Sequence, residues 1–179
     1  MKIHFVKIQT LVIWTILIIL VIGFLSHNSE TVTTSSPRRD LPIYSVDRAD
    51  NKIALTFDVA WDNADITSLI DILDKHGIKS SFFIVGEWID KYPDSVLALH
   101  NAGHEILNHS DTHPHINNLS FEEIVKEVQD CNTKITNLTG QDHKLFRPPY
   151  GEYNNIVISA SRQADNFTIQ WDVEGLHAI

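Results

Sequence analysis

Residues 108–115 read Asn108-His109-Ser110-Asp111-Thr112-His113-Pro114-His115 and hold three of the ten histidines in the chain. They follow Glu105-Ile106-Leu107, whose short apolar run is typical of a β-strand. Imidazoles four residues apart, on a turn that leaves the end of a strand, can converge on one divalent cation. A polar surface loop that is rich in histidine is the alternative, because two histidines do not complete a metal ligand set.

Strand-like runs and helical patterns alternate along the chain on both sides of this segment. The predicted strands are residues 53–57, 81–85, 106–107, 145–146 and 167–171. The predicted helices run from Asn63 to Gly77, Pro93 to Asn101, Ser120 to Leu138 and Asn155 to Ala164, with Asn63, Ser120 and Asn155 as capping residues. Such alternation implies parallel strands joined by right-handed crossovers. The chain is therefore predicted to adopt an α/β fold.

Polar side chains occur where these predicted strands end. They are Asp58 after the first strand, His109 to His113 after the third, Arg147 after the fourth and Asp172 after the fifth. In parallel sheets and barrels, reactive groups gather at the carboxyl ends of the strands. We therefore expect these residues to lie near one another, which favours the metal interpretation of residues 108–115.

The charge and the cysteine content exclude other kinds of protein. The net charge is −9, although residues 1–27 contain two lysines and no acidic residue. So acidic a body provides no basic groove, and we expect no nucleic-acid partner. The single cysteine, Cys131, rules out an intrachain disulfide and a cysteine-based zinc knuckle. Its place on a helical apolar stripe predicts a core position.

Residues 1–27 are predicted to form a signal anchor or transmembrane segment. Lys2 and Lys7 precede an uncharged run from Leu11 to Leu25, near the ~17–25 residues that cross a bilayer. The exit from this run lacks the small residues of a cleavage site, which favours an uncleaved anchor over a cleaved signal. The positive-inside rule then predicts a single-pass protein of the cell membrane with its domain outside the cytoplasm. Residues 28–42 are predicted to be a linker to a domain over residues 43–179.

Three short motifs at the strand ends resemble those of the polysaccharide deacetylases, the NodB-homology carbohydrate esterases. Thr56-Phe57-Asp58 resembles the first motif of that family. The second, H-[S/T]-x-x-H-P, matches His109-Ser110-Asp111-Thr112-His113-Pro114, and the third matches Arg147-Pro148-Pro149-Tyr150-Gly151. Each pattern is short, but all three occur in order and each follows a predicted strand. The resemblance extends over residues 53–172.

The resemblance implies a (β/α) barrel that hydrolyses N-acetyl groups of a glycan with a divalent metal. It implies that Asp58 is the catalytic base, oriented by Arg147, and that His109 and His113 are metal ligands. Tyr150 and Pro149 are implied to bind the substrate. A divalent metal lowers the pKa of its bound water and polarises a carbonyl, and a carboxylate can accept the water's proton. Imidazole ligands favour zinc, although nickel or cobalt would be tolerated.

One residue beside Asp58 departs from the family pattern. Val59 stands where family members usually have a second Asp as the third metal ligand. Valine cannot ligate, so water, Asp58 or Asp62 has to complete the ligand set. An apolar residue here, followed by Trp61, resembles the sporulation-associated branch of the family, which acts on peptidoglycan. For Asp58 a capping role, and for Arg147 a surface ion pair, are the structural alternatives.

The C-terminal residues depart further. Asp172 and Glu174 fit the start of a fourth motif, but His177 and Ala178 stand where the family has Asp and Trp. The fifth motif, with the His that protonates the leaving amine, has no counterpart, and His177 lies in the wrong motif to replace it. We therefore expect an incomplete (β/α) barrel that lacks its C-terminal part and exposes an unpaired last strand.

Two functions follow from the resemblance. The first is a membrane-anchored, metal-dependent hydrolase that cleaves the amide C–N bond of N-acetylglucosamine or N-acetylmuramic acid in a cell-wall polysaccharide, with peptidoglycan expected. The second is a catalytically inactive carbohydrate-binding or scaffold protein at the cell envelope, which Val59 and the missing His favour. In both, the partners are an N-acetylated glycan and, through the N-terminal helix, the membrane.

Overall fold

A computed structural model describes residues 8–27 and 39–174, in two units that divide after Arg38. The first unit contains helix α1, Ile8–His27. The transmembrane helix predicted within residues 1–27 is not found: no helix of the described residues is both long and apolar enough to cross a membrane. Most of the predicted linker, residues 28–38, lies outside the described residues, as do His177 and Ala178.

The second unit is built around one parallel sheet. Its strands, within the described residues, are β1 Thr56–Val59, β2 Ser81–Ile84, β3 Glu105–Asn108, β4 Leu145–Phe146 and β5 Phe167–Thr168. Their order in the sheet follows their order in the chain, and every neighbouring pair is parallel. This arrangement confirms the predicted α/β fold with a parallel sheet. Because all the strands run in the same direction, their carboxyl ends lie at the same end of the sheet.

Helices connect the strands and pack on the sheet. They are α2 Ile66–Lys75, α3 Gly86–Lys91, α4 Pro93–Asn101, α5 Phe121–Thr139 and α6 Asn155–Gln163, with 3₁₀ turns at Ile116–Asn118 and Pro149–Gly151. Helix α5 begins as predicted, because Ser120 and Glu123 form a reciprocal capping box. It ends at Gly140, whose φ of 73° suits a residue without Cβ.

Two predicted helix caps are wrong. Helix α2 begins at Ile66, and the side chain of Asn63 instead donates to Ser95 Oγ at 3.1 Å. Helix α6 is capped by Asn154, one residue earlier than predicted, because its extended backbone lets Oδ1 accept from Val157 N at 3.0 Å. Both differences arise because composition cannot tell which polar side chain reaches a free helix N–H.

Strand β1 begins at Thr56, three residues later than the apolar run from Ile53 predicted. Thr56 pairs with Ser81, whereas Ile53 is exposed. Pairing with β2, rather than hydrophobicity, therefore sets where β1 starts. The helix α3 was not predicted, since its six residues are too short for a periodic pattern.

Two apolar clusters hold the helices against the sheet. One lies under α2, α3 and α4 and includes Val59, Phe82 and Cys131. The other joins Phe146 to α5 and α6 through Val128 and Val157. Cys131 is fully buried, which confirms its predicted core position, and burial raises the pKa of its thiol.

The edge of β5 is partly covered, contrary to the prediction of an unpaired last strand. Ile43 forms a parallel bridge with Ile169. Its N–H donates to Thr168 O at 2.9 Å, and its carbonyl accepts from Gln170 N at 2.8 Å. The segment that enters the unit therefore satisfies backbone groups that the strand itself leaves free.

Candidate active site

Strand ends bring Asp58, His109 and Arg147 together, as the sequence predicted. Asp58 lies in β1, His109 follows β3 and Arg147 follows β4. Arg147 Nη1 donates to Asp58 Oδ1 at 2.7 Å, and His109 Nε2 lies 4.0 Å from Asp58 Oδ2. The three side chains come from three strands, so only the folded sheet creates this site.

Arg147 is fixed from several directions. Its side chain is only 4% exposed, and Nη1 also donates to Thr56 Oγ1 at 3.0 Å. The guanidinium lies over the ring of Phe83, 4.0 Å from its centroid, and 5.6 Å from that of Trp171. Such stacking stabilises a desolvated cation. The pair of Arg147 with Asp58 is therefore not a surface ion pair, and it holds one oxygen of Asp58 in place.

His109 is held as a neutral imidazole. It is 3% exposed, and burial lowers its pKa to about 4, although Asp58 and the carbonyl of Arg147 act in the opposite direction. Its Nδ1–H donates to Arg147 O at 2.7 Å. The lone pair consequently lies on Nε2, which faces Asp58. A hydrogen bond of this kind fixes the tautomer of metal-binding histidines.

His113 supplies the second imidazole. Its ring centroid lies 5.1 Å from that of His109, and burial lowers its pKa. Its Nδ1 is buried without a hydrogen-bond partner in the described part of the chain. A buried ring nitrogen without a partner is costly in a folded protein, and a bound cation would satisfy it. The two imidazoles therefore fit a divalent cation.

The third ligand position does not fit as well. Among residues 8–27 and 39–174, no group of three or more His, Cys, Asp or Glu is arranged to hold a metal ion. Val59 is buried in the cluster under α2, and the side chain of Asp62 accepts from Asn63 N at 2.7 Å. Asp58 Oδ2 lies 4.0 Å from His109 Nε2, and the hydrogen bond from Arg147 goes to the other oxygen, Oδ1.

Exposed aromatic rings surround His113. Trp61, which is 67% exposed, makes an edge contact with its ring at 5.5 Å, and Tyr150, which is 53% exposed, makes another at 4.7 Å. His115 stacks on Tyr150 at 4.3 Å and pairs with Glu152 Oε1 at 2.8 Å. Pro149 is buried at the start of the same turn. Large exposed rings of this kind are typical of binding surfaces.

Two residues that shape the site were given no role by the sequence analysis. Asn108, fully buried, accepts from Ser110 N at 2.8 Å and donates to Val128 O at 2.8 Å. Glu127 of α5 accepts from the backbone between the two histidines. The signal for Glu127 is weak: it is a polar residue that directly precedes the buried Val128 on an amphipathic helix.

Known proteins are similar to this chain in sequence. The family described as Polysaccharide deacetylase matches residues 45–168. The peptidoglycan-N-acetylmuramic acid deacetylase PdaA of Bacillus subtilis is 30% identical over 122 residues, which are 68% of this chain and 46% of that protein. A peptidoglycan-N-acetylglucosamine deacetylase of Bacillus cereus is 31% identical over 123 residues, 69% and 45% of the respective chains. The chain thus spans about half the length of the curated relatives it matches.

Solved structures share the fold. BA3943 of Bacillus anthracis, described as a CE4 family pseudoenzyme, matches with a TM-score of 0.70 and 33% identity, over 73% of this chain and 47% of that one. The peptidoglycan deacetylase PdaC of Bacillus subtilis matches with a TM-score of 0.64 and 34% identity, over 72% and 62%. The family match includes the strands that carry Asp58, His109 and Arg147. The chain therefore belongs to the polysaccharide deacetylase family.

Proposed function

We propose that this chain is a metal-dependent hydrolase that removes N-acetyl groups from a cell-wall polysaccharide, with peptidoglycan as its substrate. One observation carries the proposal. The carboxylate of Asp58, held by Arg147 at 2.7 Å, adjoins the neutral imidazole of His109, and His113 contacts that imidazole. A fixed carboxylate beside two neutral nitrogen ligands is what metal-assisted amide hydrolysis requires.

The residues have separate tasks in this reaction. A bound divalent metal would lower the pKa of a water molecule and polarise the acetyl carbonyl. Asp58 accepts the water's proton at Oδ2, because Oδ1 is occupied by Arg147. The oxygen of this water forms a bond to the carbonyl carbon, and the C–N bond then breaks as the amine leaves with a proton, so that the acetyl group is released as acetate. The proton that Asp58 removes balances the one that the amine gains.

Zinc is the metal that we propose, held by His109 and His113. Neutral imidazoles are common zinc ligands, and catalytic zinc sites leave at least one position to water. The burial that lowers the pKa of both histidines favours the neutral imidazole, in which one ring nitrogen is free of a proton and can bind a metal. Water or Asp58 would complete the ligand set.

The substrate proposal rests on the exposed rings and on the relatives. Trp61 and Tyr150 present apolar faces beside His113, where the C–H face of a sugar ring can pack. The named relatives act on peptidoglycan. Because peptidoglycan lies outside the cytoplasm, we propose that the domain works there. Membership of the sporulation-associated branch stays a prediction.

Two measurements on the purified full chain test this function. We expect about one Zn²⁺ per chain, with binding lost in a His109→Ala/His113→Ala variant. We expect release of acetate from an N-acetylglucosamine oligomer, lost in Asp58→Asn, which keeps the size of the side chain but is not basic. Unchanged zinc binding in the double variant would contradict the metal assignment.

The second candidate function is a catalytically inactive glycan-binding protein. Burial of Val59 at the place of a third ligand favours it, as does the 33% identity to a pseudoenzyme. Glycan binding by a chain that releases no acetate supports this function. Acetate release that disappears in Asp58→Asn eliminates it.

A further inference from the structure

The backbone between the two imidazoles adopts an unusual conformation. Ser110 has a φ of 67° and His113 a φ of 56°, both in the left-handed region. Residues other than glycine adopt that region at a cost, and they keep it only where the surrounding structure holds them. The relative placement of His109 and His113 therefore depends on what holds residues 110–112.

Five consecutive backbone N–H groups in this segment all have acceptors. His109 N donates to Ile84 O at 3.1 Å, Ser110 N to Asn108 Oδ1 at 2.8 Å and His113 N to Ser110 Oγ at 3.1 Å. The two in the middle, of Asp111 and Thr112, both donate to Glu127 Oε2 at 2.9 Å.

Glu127 uses its other oxygen as well. Thr112 Oγ1 donates to Glu127 Oε1 at 2.9 Å, so one carboxylate from α5 accepts three hydrogen bonds from two adjacent residues. Hydrogen bonds to an ionised acceptor are stronger than neutral ones. The middle of the segment is thus held by a side chain from another element.

The opposite side of the segment is packed against α3. Ser110 O accepts from Gly86 N at 3.0 Å, and Asp111 O accepts from Glu87 N at 2.8 Å. A Cβ atom on Gly86 would lie 2.0 Å from Asp111 Oδ1. Lys134, on α5 like Glu127, pairs with that same oxygen at 2.7 Å. The segment has little room to move once Glu127 holds it.

We propose that Glu127 is a positioning residue of the active site, which sets the separation and ring directions of His109 and His113 for a divalent cation. The inference rests on the proposed metal-dependent function. It assigns Glu127 no contact with metal or substrate. The carboxylate acts through the backbone of Asp111 and Thr112.

Two variants of Glu127 separate the effect of its hydrogen-bond acceptors from that of its charge. Glu127→Ala removes all three acceptors. Glu127→Gln keeps the size of the side chain and one acceptor oxygen, but it loses the charge. Asp130→Asn is the matched control, because Asp130 lies on the same helix and pairs only with the exposed Lys126 among the described residues. Melting temperature and circular dichroism establish that each variant is folded.

Titration of the full chain with Co²⁺, followed by visible absorption, measures the effect on the site. We expect the dissociation constant to rise about tenfold in Glu127→Ala, the lower end of what is lost when residues that orient metal ligands are removed. Glu127→Gln should give a smaller rise, and Asp130→Asn none. An unchanged dissociation constant in folded Glu127→Ala overturns the proposal. If that variant does not fold, Glu127→Gln decides by the same criterion.

A measurement without metal separates this inference from the proposed function. NMR signals of the imidazole rings of His109 and His113 report ring environment in the metal-free chain. Shifts in Glu127→Ala or Glu127→Gln that are absent in Asp130→Asn support the positioning role. If the unaltered chain binds no Co²⁺, the proposed function fails, and the imidazole signals alone decide: unshifted signals overturn the inference.

Discussion

Asp58 and Arg147 are buried to different extents, so we expect their removal to lower the free energy of unfolding by different amounts. The two side chains share a 2.7 Å ion pair, but Arg147 is 4% exposed and Asp58 is 36% exposed. Asp58→Ala leaves a guanidinium charge buried without its carboxylate. Arg147→Met, a variant of similar length, leaves a carboxylate that water can reach. We therefore expect Asp58→Ala to destabilise the chain more.

The contacts of Asp58 and Arg147 give the expected loss of unfolding free energy in each variant. Removing the partner of a buried charge costs about 3–5 kcal/mol, which applies to Asp58→Ala. Arg147→Met loses a charge-assisted hydrogen bond worth about 1.5–3 kcal/mol, while methionine keeps apolar contact with Phe83. In the double variant no charge remains unpaired, so its loss should be smaller than that of Asp58→Ala alone.

Urea unfolding of the full chain, followed by circular dichroism in the presence of a chelator, measures these free energies. The chelator removes any contribution from a bound metal. Equal losses in the two single variants would refute the argument from burial. Additive losses in the double variant would also refute it, because they would mean that the two charges do not interact.

Three more predictions concern neighbouring side chains. The pKa of His109 is about 4 in the folded chain and roughly 6.5 in the unfolded chain, so the unfolded state binds more protons between these values. Stability should fall by about 3 kcal/mol as the pH drops from 7 to 4, and His109→Gln should reduce that slope in urea unfolding at several pH values. Trp61→Ala should raise KM for an N-acetylglucosamine oligomer about three- to tenfold, the equivalent of one ring contact, with kcat less affected; an unchanged KM would exclude Trp61 from substrate binding. Asn108→Asp should lower the free energy of unfolding by at least ~2 kcal/mol, and by more than Asn108→Ala does. Asn108 Nδ2 donates to Val128 O at 2.8 Å and to Asn132 Oδ1 at 2.7 Å. An aspartate would place a carboxylate oxygen, which cannot donate, against these two acceptors.

Much of the fold follows from local patterns in the chain. The capping box of Ser120 and Glu123 and the glycine at position 140 define α5, because both ends depend on residues a few positions apart. Alternating strands and helices imply a parallel sheet, since parallel neighbours need long crossovers. The caps of α2 and α6 were misplaced, because several polar residues near each start compete for the same N–H groups.

The sequence alone also identified the side chains of the candidate site. Asp58, His109, His113 and Arg147 lie in short motifs at strand ends, and parallel strands place their carboxyl ends at one edge. Spacing alone left a metal site and a polar loop as alternatives, and it was the three motifs in order, each after a predicted strand and each similar to a family motif, that favoured the site.

Only the tertiary structure decided how those side chains are held. The burial that lowers the pKa of His109, the hydrogen bond from its Nδ1 to Arg147 O, and the carboxylate of Glu127 all depend on elements far apart in sequence. Glu127 lies 16 residues from Asp111 along the chain, yet its oxygen is 2.9 Å from the Asp111 amide. No local pattern encodes such a contact, because it arises only when α5 packs beside the end of β3.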